Sequence, residues 1–307
     1  EPILKETNGI IVYQEQVMQI SQEIGGFTLA QGDMMRRAMG KKKIDLMASF
    51  KIDFVDGALA QNIDKKIATE IFDLLEKFAQ YGFNKSHSTA YAIVAYQTAW
   101  LKTHYPAEFM AANMTSVINN TDDVVKLIHE SRAMQISILP PDVNNSYAEF
   151  RPTKDGDIRF GLSAIKNVGT KAAQMISAHR YEKGDFKTLF DLCKIEGNVN
   201  RKVLESLVQV GACDGLSGHR AQMFDAVDTA IKYGQRFLEE KNSSQASLFG
   251  GEGETTESVP SPDLKETEEW TSEECLTREK DLIGFYLSGD PLEPFYDDLR
   301  EFSNVDM

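Results

Sequence analysis

Five cations crowd into eight residues, Arg36, Arg37, Lys41, Lys42 and Lys43, within the stretch DMMRRAMGKKK. Paired guanidiniums with lysines beside them can clamp a polyanion, Arg contacting phosphate oxygens bidentately and Lys adding a compact point charge. The same residues equally suit a solvated helix end whose cations complement the macrodipole. Asp33 would then be the N-cap, residues 34–39 a short helix, and Gly40 its C′ residue. A second stretch, YGFNKSHSTAY from Tyr81 to Tyr91, leads from a Gly-containing turn into a helix whose first turn carries Lys85, His87 and several hydroxyls. Unpartnered amides at a helix start attract an anion. The alternative is plain capping by Ser86 or Ser88, with His87 at the surface.

A third stretch, FGLSAIKNVGTKAA from Phe160 to Ala173, is similar to a helix-hairpin-helix, in which a tight apolar-Gly turn aims backbone amides at a DNA phosphate without reading sequence. Its candidate contacts are Lys166, Val168, Gly169 and Lys171. Such turns usually read Gly-apolar-Gly, and here Asn167 stands for the first Gly, a residue that tolerates positive φ. The segment from Val199 to Ala212, with Arg201 and Lys202 near its start, looks like a degenerate second copy or a hairpin used for packing.

The formal net charge of −14 does not oppose phosphate binding, because it is confined to one end. Residues 239–307 hold 19 Asp and Glu against 5 Lys and Arg, and residues 1–238 hold 28 of each. Three separated cysteines, Cys193, Cys213 and Cys275, form neither a disulfide framework nor a zinc site and suit a reducing compartment. The apolar run from Ala90 to Leu101 is too short and polar to span a bilayer, and the N-terminus lacks a signal pattern, so a cytoplasmic protein without membrane contact is expected. Beginning at Glu1 without Met, the chain reads as a piece of something larger.

The elements that must position these residues are mainly helical. Helices are predicted from residue 9 to about 135, at roughly 44–60, 64–80, 86–104, 106–118 and 121–135 after a first one ending at Gly25-Gly26. A loop at 140–145 and a hairpin around Asp155-Gly156 follow, then helices near 170–183, 187–195, 200–210, 219–241 and 273–287. The expected fold class is mainly α, a multi-helical domain over 1–136 and a helix-hairpin-helix domain with a small β-hairpin over 137–241. Residues 242–271, rich in Ser, Gly, Pro, Thr and Glu, read as an acidic flexible linker, and 272–307 as a C-terminal helical segment leading to a missing downstream domain.

Taken together, GIIVYQEQVMQISQEIGGFTLAQGDMMRRAMGKKK and FAQYGFNKSHSTAYAIVAYQTAWLKTHYPAEFMAANM resemble the fingers region of the bacterial replicative polymerases of family C, and the resemblance runs from about Gly9 to Leu287. It implies a fingers domain at 1–136 that closes over the incoming dNTP. Arg36, Arg37 and Lys41 would contact the triphosphate or nearby backbone, with Asn84, Lys85 and His87 facing the same pocket. Phosphoryl transfer needs charge neutralised on the nonbridging oxygens and the departing pyrophosphate. His87 or Lys85 would donate a proton to that pyrophosphate, or charge neutralisation alone would serve. The resemblance also implies Mg2+ in the full enzyme, held by palm carboxylates outside this chain, so the isolated chain should not extend a primer. Expected partners are primer-template DNA, dNTP, the beta sliding clamp and other replicase subunits. QASLF, from Gln245 to Phe249, looks like a clamp-binding pentapeptide, with Gln245 at the rim and Leu248 and Phe249 in an apolar pocket; the alternative is an anchor folding back on the chain itself. The rival to a polymerase segment is a non-enzymatic DNA-binding or clamp-binding scaffold.

Overall fold

Helix boundaries in this protein are set by short-range capping chemistry, and the computed structural model describes residues 2–41, 44–79, 82–197, 199–242 and 260–296. Among these, thirteen α-helices run in the order α1 (Gln14–Glu23), α2 (Leu29–Gly40), α3 (Ile44–Ala60), α4 (Lys65–Ala79), α5 (Lys85–His104), α6 (Pro106–Ser116), α7 (Thr121–Ala133), α8 (Thr170–Lys183), α9 (Leu189–Leu192), α10 (Arg201–Gln209), α11 (Arg220–Asp225), α12 (Val227–Asn242) and α13 (Ser272–Ile283). Between α7 and α8 lie three short strands, β1 (Ile138–Leu139), β2 (Arg151–Pro152) and β3 (Ile158–Arg159). The chain forms two compact units, residues 1–100 and 101–307, with the division inside α5. The mainly α class with a small β element agrees with the sequence expectation. No helix among the described residues is long and apolar enough to cross a membrane.

In the first unit, α1 begins where Gln16 turns back on its own N-terminus. Its Oε1 accepts from the amides of Val12 (2.9 Å) and Tyr13 (3.0 Å), and its Nε2 donates to Thr7 Oγ1 (2.8 Å). The helix ends at the Gly25-Gly26 pair, Gly26 taking φ +67°. One expectation fails next. Helix α2 does not start at Asp33 but at Leu29, because Thr28 and Gln31 form a reciprocal cap: Gln31 N donates to Thr28 Oγ1 (3.3 Å) and Thr28 N to Gln31 Oε1 (2.9 Å). Asp33 therefore lies inside the helix, which runs on through Gly40. Val17 and Ile20 of α1, Met35 and Ala38 of α2, Phe50 and Phe54 of α3, and Phe72 and Leu75 of α4 make the core. Phe27, Phe54 and Phe72 form a chain of rings with centroids 6.1 and 5.4 Å apart. Gly25 and Gly57 let α1 and α3 approach backbone to backbone, since a Cβ added at Gly57 would overlap the Gly25 carbonyl and one added at Gly25 would overlap the Phe54 ring.

The second unit gathers Met110 and Met114 of α6, Val124 and Ile128 of α7, Phe160, and the inward faces of α8 through α12 into one core. The hairpin forms where Asp155-Gly156 turns, Gly156 at φ +88°, with β2 and β3 antiparallel. Strand β1 was not expected; it pairs parallel to β3, Ile138 opposite Ile158. Within the segment expected to be linker, individual residues are held against this core. Leu264 packs on it, and Trp270 meets the Phe224 ring edge-on at 5.4 Å while the Arg278 guanidinium lies 3.9 Å over the Trp270 ring. Helix α13 is stapled down by a buried ion pair: Arg220 donates to Glu279 (2.9 Å) and Asp214 (2.7 Å), and Ser288 Oγ donates to Glu279 (2.7 Å). Glu279 is 1% exposed, and Arg220 and Ser288 satisfy its buried carboxylate oxygens.

Cys193 and Cys213 are buried in this core, and burial pushes the Cys193 thiol up to about 12 and Cys213 higher still. Cys275 is partly exposed, its thiol raised by partial burial. The thiolate is the reactive form, so at pH 8 an exchange reagent should modify Cys275 first and the other two only on unfolding. Three thiols reacting together under native conditions would contradict this packing.

Candidate functional site

The cation-bearing segments of the first unit converge through α1. On α2, positions 33, 36 and 37 stand one turn apart, so one carboxylate reaches two guanidiniums. Arg36 donates to Asp33 Oδ1 from Nε (3.0 Å) and Nη2 (2.8 Å), and Arg37 Nε lies 2.8 Å from Asp33 Oδ2. The Arg36 hydrogen bond, with the charges of both arginines, holds the Asp33 carboxyl below its usual range. Arg36 is half-buried and Arg37 more exposed. Arg36 Nη1 also donates to Gln14 Oε1 (3.2 Å), and Gln14 Nε2 donates to the Gly82 carbonyl (2.9 Å). Gln14 N bonds to the Phe83 carbonyl (2.9 Å), and Phe83 N to the Val12 carbonyl (3.3 Å), forming a parallel bridge between residues 13 and 83. Arg36 and the turn before α5 are thereby tied to the same strand of backbone.

Helix α5 begins differently from the sequence expectation. Neither Ser86 nor Ser88 caps it. Asn84 does, its Oδ1 accepting from His87 N (2.9 Å), and the Glu15 carboxylate takes the Lys85 amide at 3.0 and 3.2 Å. The opening amides of α5 thus already face an anion supplied by the chain. Lys85 Nζ donates to Glu6 (2.6 Å), a bond that raises the Lys85 pKa, and lies 5.7 Å from the Tyr13 ring centroid. The His87 ring stands between Phe83 and Tyr91, with centroids 5.5 and 4.6 Å away, and all three rings are exposed. Lys41 is exposed at the end of α2; Lys42 and Lys43 lie outside the described residues. Sequence reading missed Gln14, Glu15 and Glu6 as partners of the cations. The Asp33-x-x-Arg36-Arg37 spacing, taken as helix interior, would have exposed the role of Asp33.

In the second unit the expected hairpin is present. Asn167 takes φ 72°, as a Gly substitute must, and its side-chain Nδ2 donates to Ser206 Oγ (3.1 Å) of α10. Gly169 is the N-cap of α8, no side chain caps the helix there, and a Cβ added at Gly169 would meet open space. Lys166 and Lys171 are exposed beside them. Val168 is different: its side chain is buried and its amide bonds to the Ile165 carbonyl (3.0 Å), so it shapes the turn and offers no donor. The Lys166 amide is taken by the Leu282 carbonyl (3.0 Å), while its side chain is exposed. In the second copy, Arg201 pairs with Glu205 (2.7 Å) and Asp228 (3.2 Å), and both Arg201 and Lys202 are exposed. Gln245, Leu248 and Phe249 lie outside the described residues.

The first unit thus carries paired arginines on a helical frame, and the second carries a hairpin of the helix-hairpin-helix kind. Comparison with known proteins is specific: residues 1–62 match the bacterial DNA polymerase III alpha subunit finger domain, and residues 135–223 match a helix-hairpin-helix motif. The chain is 45% identical to DNA polymerase III subunit alpha of Pasteurella multocida over 305 residues, covering 99% of this chain and 26% of that protein. It is 45% identical to the subunit of the same name from Pseudomonas aeruginosa (99% of this chain, 27% of that protein) and 44% identical to that of Escherichia coli K12 (98% and 26%). The chain is thus similar over nearly its whole length to DNA polymerase III alpha subunits and spans about a quarter of the length of the curated relatives it matches.

Asn167 provides a direct check on the hairpin. Asn167→Val puts a β-branched residue at positive φ and removes the bond to Ser206, and should lower stability by about 1–2 kcal/mol. Asn167→Gly should cost less. Denaturant unfolding of the two variants decides it, and a Val variant as stable as the Gly variant would show that the turn is not held at positive φ.

Proposed function

We propose that this chain is the nucleotide-gripping and duplex-gripping part of a template-directed DNA polymerase. The first unit acts as fingers: Arg36, Arg37 and Lys41 meet the triphosphate or nearby backbone, and Asn84, Lys85 and His87 face the same ligand. The observation carrying this reading is that Arg36 and the turn before α5 are bonded to one residue, Gln14, so that cations distant in sequence belong to one site. Arg36, Arg37 and Lys85 each already sit against a carboxylate, which preorganises them for a phosphate oxygen carrying the same kind of charge. Charge neutralisation suits Lys85 better than proton donation, because its bond to Glu6 strengthens its hold on the proton.

The second unit grips duplex DNA through the Gly169 turn, with Lys166 and Lys171 adding charge. Lys202 adds a weaker contact, and Arg201 serves mainly to pair Glu205 and Asp228. Among the described residues no group of three or more His, Cys, Asp or Glu is placed to hold a metal. The Mg2+ ions of the reaction are assigned to carboxylates outside this chain, and the isolated chain is expected not to extend a primer. QASLF is proposed as the contact for the beta sliding clamp, other replicase subunits as further partners, and the cytoplasm as the location.

In the polymerase that carries this segment, Arg36→Ala or Arg37→Ala should raise the KM for dNTP or lower kcat while duplex affinity holds. Steady-state kinetics beside duplex titration checks this, and equal loss of duplex binding would assign the cluster to DNA. Duplex binding by the second unit should be independent of sequence and steeply dependent on salt. Removing Lys166 and Lys171 together should lower the slope of log K against log salt by roughly 0.9 for each phosphate no longer neutralised. An unchanged slope would remove the hairpin as the DNA-binding element.

A further inference from the structure

We infer that Gln14 is a positioning residue for nucleotide binding, a role that rests on the proposed triphosphate contact of Arg36. Three bonds leave this one residue. Its Oε1 accepts from Arg36 Nη1 (3.2 Å), its Nε2 donates to the Gly82 carbonyl (2.9 Å), and its backbone amide donates to the Phe83 carbonyl (2.9 Å). A side-chain amide is the group that can do the first two at once, because it carries an acceptor and a donor on one planar head. The bracket is also tightly built, since a Cβ added at Gly82 would come within 3.1 Å of Gln14 Cγ and 3.2 Å of Phe78 Cε1.

These bonds fix the register between α2 and the start of α5. Asp33 holds the Arg36 guanidinium on one side, and Gln14 holds it on the other. Because Gln14 also grips Gly82, Arg36 cannot shift without disturbing the turn that places Asn84, Lys85 and His87. A triphosphate recognised by both segments needs them at one spacing, and misplacement by about 1 Å is enough to cost a large factor in rate. Gln14 touches neither phosphate nor metal in this scheme; it sets where Arg36 and the turn stand.

The test uses the polymerase that carries this segment, comparing Gln14→Met, Gln14→Glu, Gly82→Ala and Arg36→Ala. Met keeps length and volume and removes both side-chain bonds; Glu keeps the acceptor for Arg36 and loses the donor to Gly82. Gln14→Met should raise the KM for dNTP by about tenfold with duplex affinity near wild type, beside a modest fall in Tm from the two lost side-chain bonds. Gln14→Glu should fail to rescue, and Gly82→Ala should shift KM in the same direction by displacing the Gln14 side chain. In the Arg36→Ala background, Gln14→Met should add much less than it does alone, because the two share one interaction. If Arg36→Ala raises KM and Gln14→Met does not, the bracket is refuted. A full rescue by Gln14→Glu, or additive losses in the double variant, would refute it too. If Arg36→Ala itself leaves KM unchanged, the triphosphate assignment fails instead. Should Gln14→Met not fold, Gly82→Ala with wild-type Tm and wild-type KM would overturn the inference by itself.

Discussion

Two guanidiniums on adjacent positions of one helix repel each other, and the first unit solves this by giving both the same carboxylate. Asp33 offers one oxygen to Arg36 and the other to Arg37, so the pair is held as a fixed group whose charge is partly neutralised. The first unit repeats the solution at the start of α5: Glu6 holds Lys85 Nζ, and Glu15 holds the opening amide of the helix. An incoming polyanion would therefore exchange with carboxylates and would not have to gather scattered side chains. The entropy of ordering those chains has already been spent in folding. In the second unit the same balance is struck in the interior, where Arg220 is surrounded by Asp214 and Glu279, and its result is mechanical: α13 and the segment before it are fastened to the helix-hairpin-helix core.

The two proposed grips differ in kind. The proposed nucleotide site would work through side chains whose positions depend on one another through α1, so its strength would depend on geometry. The proposed duplex contact would work through backbone amides at the start of α8, so its strength would depend on the turn. A polymerase needs the first contact to discriminate and cycle with each nucleotide and the second to hold duplex of any sequence while it moves.

Much of this fold was legible in the sequence because its signals are local. The 3.6-residue pattern and Gly25-Gly26 place α1, Asp155-Gly156 places the hairpin, and Asn167 announces a positive φ that the structure adopts. What was not legible depends on competition or on distance. Asp33 is a good N-cap residue, but Thr28 and Gln31 form a better cap five residues earlier and turn Asp33 into an interior acceptor. Ser86 and Ser88 looked like caps, but Asn84 reaches the amide first. The strand at Ile138 needs a partner twenty residues away, and the docking of Trp270 needs Phe224 and Arg278 in place, neither of which composition can report. The change in character near Ile136 marks where long helices give way to strands, while α6 and α7 before it already share the core of the second unit. In the site itself the cations were visible and their carboxylate partners were not, because Glu6 and Glu15 meet Lys85 only after the chain has folded back.

The crossing of Gly25 and Gly57 has a consequence for how this chain can change over time. At most tight spots in a protein core, an enlarged residue can be accommodated by a second substitution that trims its neighbour. Here the neighbour of Gly57 is the Gly25 carbonyl, a main-chain atom that no substitution can shorten. Any heavier residue would have to be absorbed by moving α1 away from α3, and α1 carries both Gln14 and Glu15. A drift at this crossing, buried and without charge, would thus be transmitted to the cations at the far end of the same helix. The route to new sequences is closed at that position by geometry, and the closure protects the proposed site, with which the glycine makes no contact.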